Sequence, residues 1–180
     1  AVLVSGEAGT GKTMLVLEAM RRAAASDGSL VAIGRSSAYV GLGDPYLPFR
    51  DVLGSLTGDV ESDLGSGSMD PAAARRLWGL VPITSRLVLE RGPSLIGVMV
   101  NGGLLVERVE HASPDVPWLE PLRLRVTAAT AHPPAPERMQ PALFDEYVAV
   151  LDGMARIAPL FVVVDDLQWA DLGSVSLLFH

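Results

Sequence analysis

Residues Gly6–Thr13 read "GEAGTGKT", and this octapeptide limits the fold more than any other stretch of the chain. It fits the spacing G-x-x-x-x-G-K-[ST]. The apolar run before it, "AVLVS", reads as a short buried parallel strand. After Gly11 the apolar period changes. Thr13, Val16, Leu17, Met20 and Ala24 recur at helical spacing, and Gly28 is placed to stop that helix. "SLVAIG" at 29–34 is a second strand. Residues 1–34 therefore predict strand, loop, helix and strand, the crossover unit of a parallel sheet and of an α/β fold.

Each residue type in the loop has a chemical reason. A loop that wraps phosphate with backbone N–H groups is obstructed by side chains at Gly6, Gly9 and Gly11, or needs φ values that only glycine takes freely. The helix that follows adds N–H donors and a partial positive charge. The expected nucleotide-binding set is Gly6, Glu7, Ala8, Gly9, Thr10, Gly11, Lys12, Thr13 and Met14. Lys12 is expected to reach the β- and γ-phosphates and to serve catalysis there, and Thr13 to offer its hydroxyl to Mg²⁺. Lys12 is the chain's single lysine; the other 13 basic residues are arginines. A flat guanidinium does not replace a point charge in a tight loop. At this chain's own residue frequencies, a chance match is expected on the order of one time in a thousand.

"FVVVDDLQWAD" supplies the complementary half. Its apolar residues predict a buried strand with Asp165 at the carboxyl end, the edge where open α/β sheets bind ligands. Asp165 is then placed to hold Mg²⁺ opposite Thr13, and Asp166 to orient or deprotonate an attacking water, a catalytic role. The plainer alternative is a pair of aspartates capping the next helix; the upstream phosphate loop weighs against it.

Between these ends the pattern is mostly helical. Residues 35–70 are rich in Gly, Ser, Asp and Pro, with loops at "GLGDPYLPF" and "DLGSGSMDP" and a short helix at "FRDVLGSL". Asp70 and Pro71 start a helix that runs to about Arg91, with Leu77, Leu80, Val81, Leu87 and Val88 on one side and Pro82 expected to kink or split it. Further helices are expected at 104–111 and 118–130. After the linker-like "HPPAPE", the stretch 139–157 places Leu143, Tyr147, Val150, Leu151 and Met154 on one face. A helix start follows at 174–180.

Several residues suggest chemistry but read more simply. His111, His132 and His180 lack metal-ligand spacing. Trp169 is expected to pack under the following helix, and Asp171 to cap it. Arg35 either faces nucleotide or makes a surface ion pair. Arg75 and Arg76 are too few for a nucleic-acid patch.

Composition narrows the function classes. A net charge of -7 argues against direct nucleic-acid or anionic-membrane binding by this segment. The chain has no cysteine, which excludes disulfide and thiolate chemistry. "LIGVMV", the longest apolar run in the middle of the chain, is far short of the ~20 residues a membrane helix needs. The expectation is a cytoplasmic protein. The opening at Ala1 and the apolar final stretch "SVSLLFH" suggest a segment of a longer chain.

The phosphate loop, the apolar strand ending in Asp165–Asp166 and the "DLQWAD" tail together resemble the AAA/STAND group of P-loop ATPases. The likeness is to the origin-recognition-like AAA ATPase domain of large bacterial regulators, among them LuxR-type activators and cyclase- or kinase-linked proteins. "GRSSAYVGLGDPYLPFRDVL" is similar to that family's segment after the second strand. The resemblance spans Val2–Leu178, strongest at the two ends and weak between about residues 58 and 135.

It implies a three-layer P-loop sandwich around a parallel sheet, incomplete at its C-terminal side. Residues 1–180 would be the N-terminal part of one domain. Residues 1–34 would carry the phosphate loop, 35–135 loops and helices, and 136–180 a helix, the acidic strand and the start of the next helix. A further strand, lying after His180, is expected between the two motif strands. The implied ligands are ATP or ADP with Mg²⁺; the implied partners are appended sensor, helical-repeat or effector domains and another copy of the chain. Many relatives carry Glu at the second acidic position. Asp166 is one methylene shorter, which fits slow turnover. The implied function is an ATP-driven regulatory switch. A nucleic-acid motor or loader, a small-molecule phosphotransferase and an assembly platform without turnover stay open as alternatives.

Overall fold

β1 (Leu30–Arg35) and β2 (Leu160–Asp165) pair in parallel, in register from Leu30 opposite Leu160 to Arg35 opposite Asp165. Ser36 N–H carries the ladder one step further by donating to the Asp165 carbonyl at 3.1 Å. The computed structural model that shows this describes residues 1–38, 45–65, 67–131 and 140–180. The fold is mixed, with a small parallel sheet and a larger helical body. Parallel strands cannot be joined by a tight turn. Here the connection between the two strands contains α2 (Leu47–Leu56), α3 (Glu61–Gly65), α4 (Pro71–Arg91), α5 (Gly102–Ala112), α6 (Leu119–Ala131) and α7 (Gln140–Ala155). α1 (Lys12–Asp27) precedes β1, and α8 (Leu172–Leu178) follows β2.

The core lies between β1 and the helices of this connection. Phe49, Val52, Leu53 and Leu56 of α2 meet Leu77, Val81 and Val88 of α4, and Leu143, Tyr147, Val150 and Met154 of α7 close the other side. Full burial of each such side chain contributes about 1.5–3 kcal/mol. Tyr147 is wholly buried and donates its hydroxyl to the Phe49 carbonyl at 3.1 Å, so its polar end is satisfied. α2 approaches β1 closely at Gly34, where an added Cβ would lie 1.7 Å from the Pro48 carbonyl oxygen.

Side-chain caps mark the expected start of α4 and the start of α5, which begins two residues before the expected Leu104. Asp70 accepts from the N–H groups of Ala72 and Ala73 at 2.8 and 3.0 Å ahead of Pro71. Asn101 caps α5 through Leu104 N–H at 3.1 Å. Pro82 does not split α4, which runs unbroken to Arg91. The stretch expected as loop at 63–71 begins inside the short α3. His132, the "HPPAPE" linker, Met139 and residues 39–44 of the first loop lie outside the described residues.

One expected strand is not formed. Residues 1–5 carry no strand pairing, and Val2 and Leu3 are 92% and 81% exposed. The cause is the partner set. β2 pairs with β1, so its hydrogen-bonding groups on that side are taken. Among the described residues no strand lies between β2 and residues 1–5. A segment without a neighbour to bond has no ladder. α1 shows the same effect: Val16, Leu17, Met20 and Ala24 are only half-buried, while Met14 and Leu15 face solvent.

Candidate functional site

The loop 6–11 enters α1 through two left-handed glycines, Gly9 at φ 81° and Gly11 at φ 85°. An L side chain is strained at either position, which accounts for glycine in both. Gly11 is also the N-cap of α1 and brings no side chain to that helix end. The first N–H groups of a helix have no partner within it. Thr10 tightens the loop, its Oγ1 donating to the Glu7 carbonyl at 2.9 Å. Lys12 folds back across it, with Nζ donating to the carbonyls of Gly6 at 2.9 Å and Glu7 at 2.7 Å. The ammonium is thus held at the mouth of the loop by two backbone acceptors.

Thr13 sits one residue into α1 and reaches the sheet. Its Oγ1 donates to the Asp165 carboxylate, 3.0 Å from Oδ2 and 3.2 Å from Oδ1. Asp165 is half-buried as the last residue of β2. A hydroxyl and a carboxylate at this separation are two hard oxygen donors, the kind Mg²⁺ prefers. The structure therefore brings together Thr13 and Asp165, residues predicted from opposite ends of the chain.

Beyond Asp165 the chain turns sharply. Asp166 adopts φ 55°, a left-handed conformation that Asp tolerates better than most residues. Its N–H donates to Asp165 Oδ1 at 3.0 Å. A single 3₁₀ turn, Leu167–Trp169, follows and is closed by Trp169 N–H on the Asp166 carbonyl at 2.9 Å. This turn brings Gln168 back over Asp166: Gln168 Nε2 lies 2.8 Å from Asp166 Oδ1. Sequence reasoning gave Gln168 no role. Its signal was an amide two residues after a strand-end acid, which acquires meaning only once the turn is known.

The remaining candidates separate cleanly. Asp171 is the N-cap of α8, accepting from Ser174 N–H at 3.0 Å, and it also accepts from Tyr46 N–H at 3.1 Å. Burial raises the Asp171 carboxyl. The bonds from the Ser174 hydroxyl and N–H, Tyr46 N–H and Gly173 N–H outweigh that, so the net shift is downward. Trp169 does not pack under the next helix and is 51% exposed. The left-handed Asp166 and the extended Ala170 direct the turn outward, away from the core. Arg35 forms an ion pair with Asp63 at 3.2 Å. His180 pairs with Asp145, and His111 with the Glu107 carbonyl. No metal-binding cluster of three such side chains occurs among the described residues. A separate cleft of about 270 Å³ lies away from the loop, bounded by Arg50, Val98, Asn101, Gly102, Val126 and Thr130.

The family model for the AAA ATPase domain matches residues 1–180. The chain belongs to the AAA ATPase domain family. Membership implies nucleotide binding and hydrolysis as the family's activity. Neither a curated protein nor a solved structure matches this AAA domain. No helix among its described residues is long and apolar enough to cross a membrane.

Proposed function

We propose that this AAA domain binds ATP with Mg²⁺ at the loop 6–14 and hydrolyses it slowly, acting as a regulatory switch within a larger cytoplasmic signalling or transcription-regulating protein. The observation that carries this reading is the contact between Thr13 and Asp165, which closes the end of the phosphate loop onto the acidic end of β2. The uncapped N-terminus of α1 supports phosphate binding, since its N–H groups have no side-chain acceptor. Backbone N–H groups of Gly6–Met14 cradle the phosphates, and Lys12 turns its ammonium from the loop carbonyls toward the β- and γ-phosphates. Thr13 and Asp165 would hold Mg²⁺, which when bound neutralises charge on the phosphate oxygens. Asp166 orients the attacking water and accepts its proton on the carboxylate. Nucleotide state then changes how appended domains, or a second copy of the chain, pack against the domain.

The finer architecture belongs to the same proposal: a three-layer sandwich whose sheet takes a further strand between residues 1–5 and β2. The exposure of Val2 and Leu3, and of Phe161 and Val162 on β2, supports it. A nucleic-acid motor fits less well, because a net charge of -7 offers phosphodiester backbones little attraction.

Turnover by the chain, and by an Asp166→Asn variant, tests this function. Expected is slow phosphate release that falls about 10²-fold or more in the variant, the usual scale for loss of an acid–base group, with ATP affinity retained. Equal turnover in both proteins would remove Asp166 from the chemistry.

A further inference from the structure

We propose that Gln168 is the positioning residue for Asp166, holding its carboxylate in one orientation toward the attacking water. The inference rests on the hydrolytic role given to Asp166 above. It is carried by a connected set of hydrogen bonds that the local backbone dictates. Thr13 Oγ1 donates to Asp165, Asp166 N–H donates to Asp165 Oδ1 at 3.0 Å, and Gln168 Nε2 donates to Asp166 Oδ1 at 2.8 Å. Hydrogen bonds to the backbone and to the side chain of Asp166 thus link the phosphate-loop helix, through Asp165, to Gln168.

The chemistry of the pair fixes which atom of the amide is engaged. An ionised carboxylate only accepts, so the amide must present its NH₂ and not its carbonyl. One of the two acceptor sites of Asp166 Oδ1 is thereby engaged, and that bond fixes the orientation in which the carboxylate accepts from water. Asp166 is solvent-exposed, and an exposed carboxylate otherwise samples several orientations about χ1 and χ2. Positioning of this kind raises the chemical rate by restricting the base to a productive geometry. It matters more for Asp than for a longer acid, because a short side chain cannot make up an orientation error by reach. The backbone serves the same end: the left-handed turn at Asp166 and the 3₁₀ turn after it bring position 168 back over position 166.

The role differs from a merely structural one in which part of the side chain it needs. Gln168 is exposed, so it contributes little packing. Three variants of the full chain test it: Gln168→Ala, the isosteric Gln168→Glu, which replaces the donor by an acceptor, and Gln168→Ala combined with Asp166→Asn. Saturating turnover, apparent KM and ATP dissociation constants are measured for each. Expected is a drop in kcat of about tenfold for Gln168→Ala, the scale of one hydrogen bond to a charged group. Gln168→Glu loses at least as much, ATP affinity stays within about twofold, and Gln168→Ala costs nothing further once Asp166 is Asn.

If Asp166→Asn slows turnover while Gln168→Ala does not, the positioning role is overturned and the function of Asp166 stands. Additive losses in the double variant, or a Gln168→Glu protein as fast as wild type, overturn it too. Turnover unaffected by Asp166→Asn, or absent from the wild-type chain, overturns the hydrolytic reading and the role of Gln168 with it.

Discussion

Thr13 Oγ1 lies 3.0 Å from Asp165 Oδ2, joining residues 152 positions apart. The contact ties α1 to the end of β2 and sets two oxygen donors side by side. A Thr13→Ala variant keeps the loop glycines and Lys12 and loses the hydroxyl together with the γ-methyl. Its Mg²⁺-dependent gain in ATP affinity should shrink about tenfold, the scale of one charge-assisted bond, while Mg²⁺-free binding stays near wild type. Titrations with and without Mg²⁺ measure this directly. An unchanged Mg²⁺ effect would take Thr13 out of the cation site.

Two glycines make opposite predictions for the same substitution. At Gly34 a Cβ would meet the backbone of Pro48 at 1.7 Å, and backbone cannot rotate aside. Gly34→Ala should cost about 3 kcal/mol, the upper range for overpacking, and should lower the unfolding midpoint sharply. At Gly79, inside α4, nothing lies within 4 Å of the added Cβ. Gly79→Ala should stabilise by about 0.5–1 kcal/mol through helix propensity. Denaturant melts of the two variants check both signs.

Much of this was legible in the sequence, for identifiable reasons. α4 and α7 carry long apolar stripes at helical spacing, and Asp70–Pro71 marks the start of α4 by a cap that depends only on neighbouring residues. β2 showed as an apolar run ending in acid. Strand pairing was not legible from the residues themselves, because alternation and burial describe a strand and not its neighbour; only the resemblance, which puts a further strand between the two motif strands, implied that residues 1–5 would stand apart from β2. Trp169 was misplaced for a related reason. Its exposure follows from the left-handed Asp166, a backbone choice with no periodic signature. The same turn creates the Gln168–Asp166 bond, so the feature that hid Trp169's position also hid Gln168's partner.

Asp171 gives the fold a pH dependence with a definite sign. Its hydrogen bonds from Ser174, Tyr46 and Gly173 hold the folded carboxyl below its unfolded value of about 3.9. Its contribution is therefore complete above that value and is lost as pH falls through the lower, folded pKa. Asp171→Ala should cost about 1 kcal/mol at pH 7 as a lost cap. The gap between variant and wild type should narrow below about pH 4. Urea melts across that range measure it, and a gap independent of pH would contradict the assignment.

Arg76 anchors α1 from a distance. Its Nη1 lies 3.1 Å from the Ala24 carbonyl and 3.3 Å from that of Ser29, joining α4 to the end of α1 and the start of β1. Arg76→Ala should cost about 1 kcal/mol and speed amide exchange in the last turns of α1. Arg75→Ala, lacking these bonds, should do neither. Equal exchange in the two variants would show that α1 is held by other contacts.

Equilibrium binding of Mg·ATP and ADP to the chain tests the central claim most directly, with circular dichroism to establish folding and Lys12→Ala as the comparison. Lys12 is the only side chain that brings an ammonium to the loop, and its two acceptors there are backbone carbonyls that a phosphate would outcompete. Expected is micromolar binding by the wild-type chain and at least a tenfold loss in the folded variant, about 1.4 kcal/mol. A folded wild-type chain that binds neither nucleotide, or a Lys12→Ala variant that binds as tightly, would contradict it.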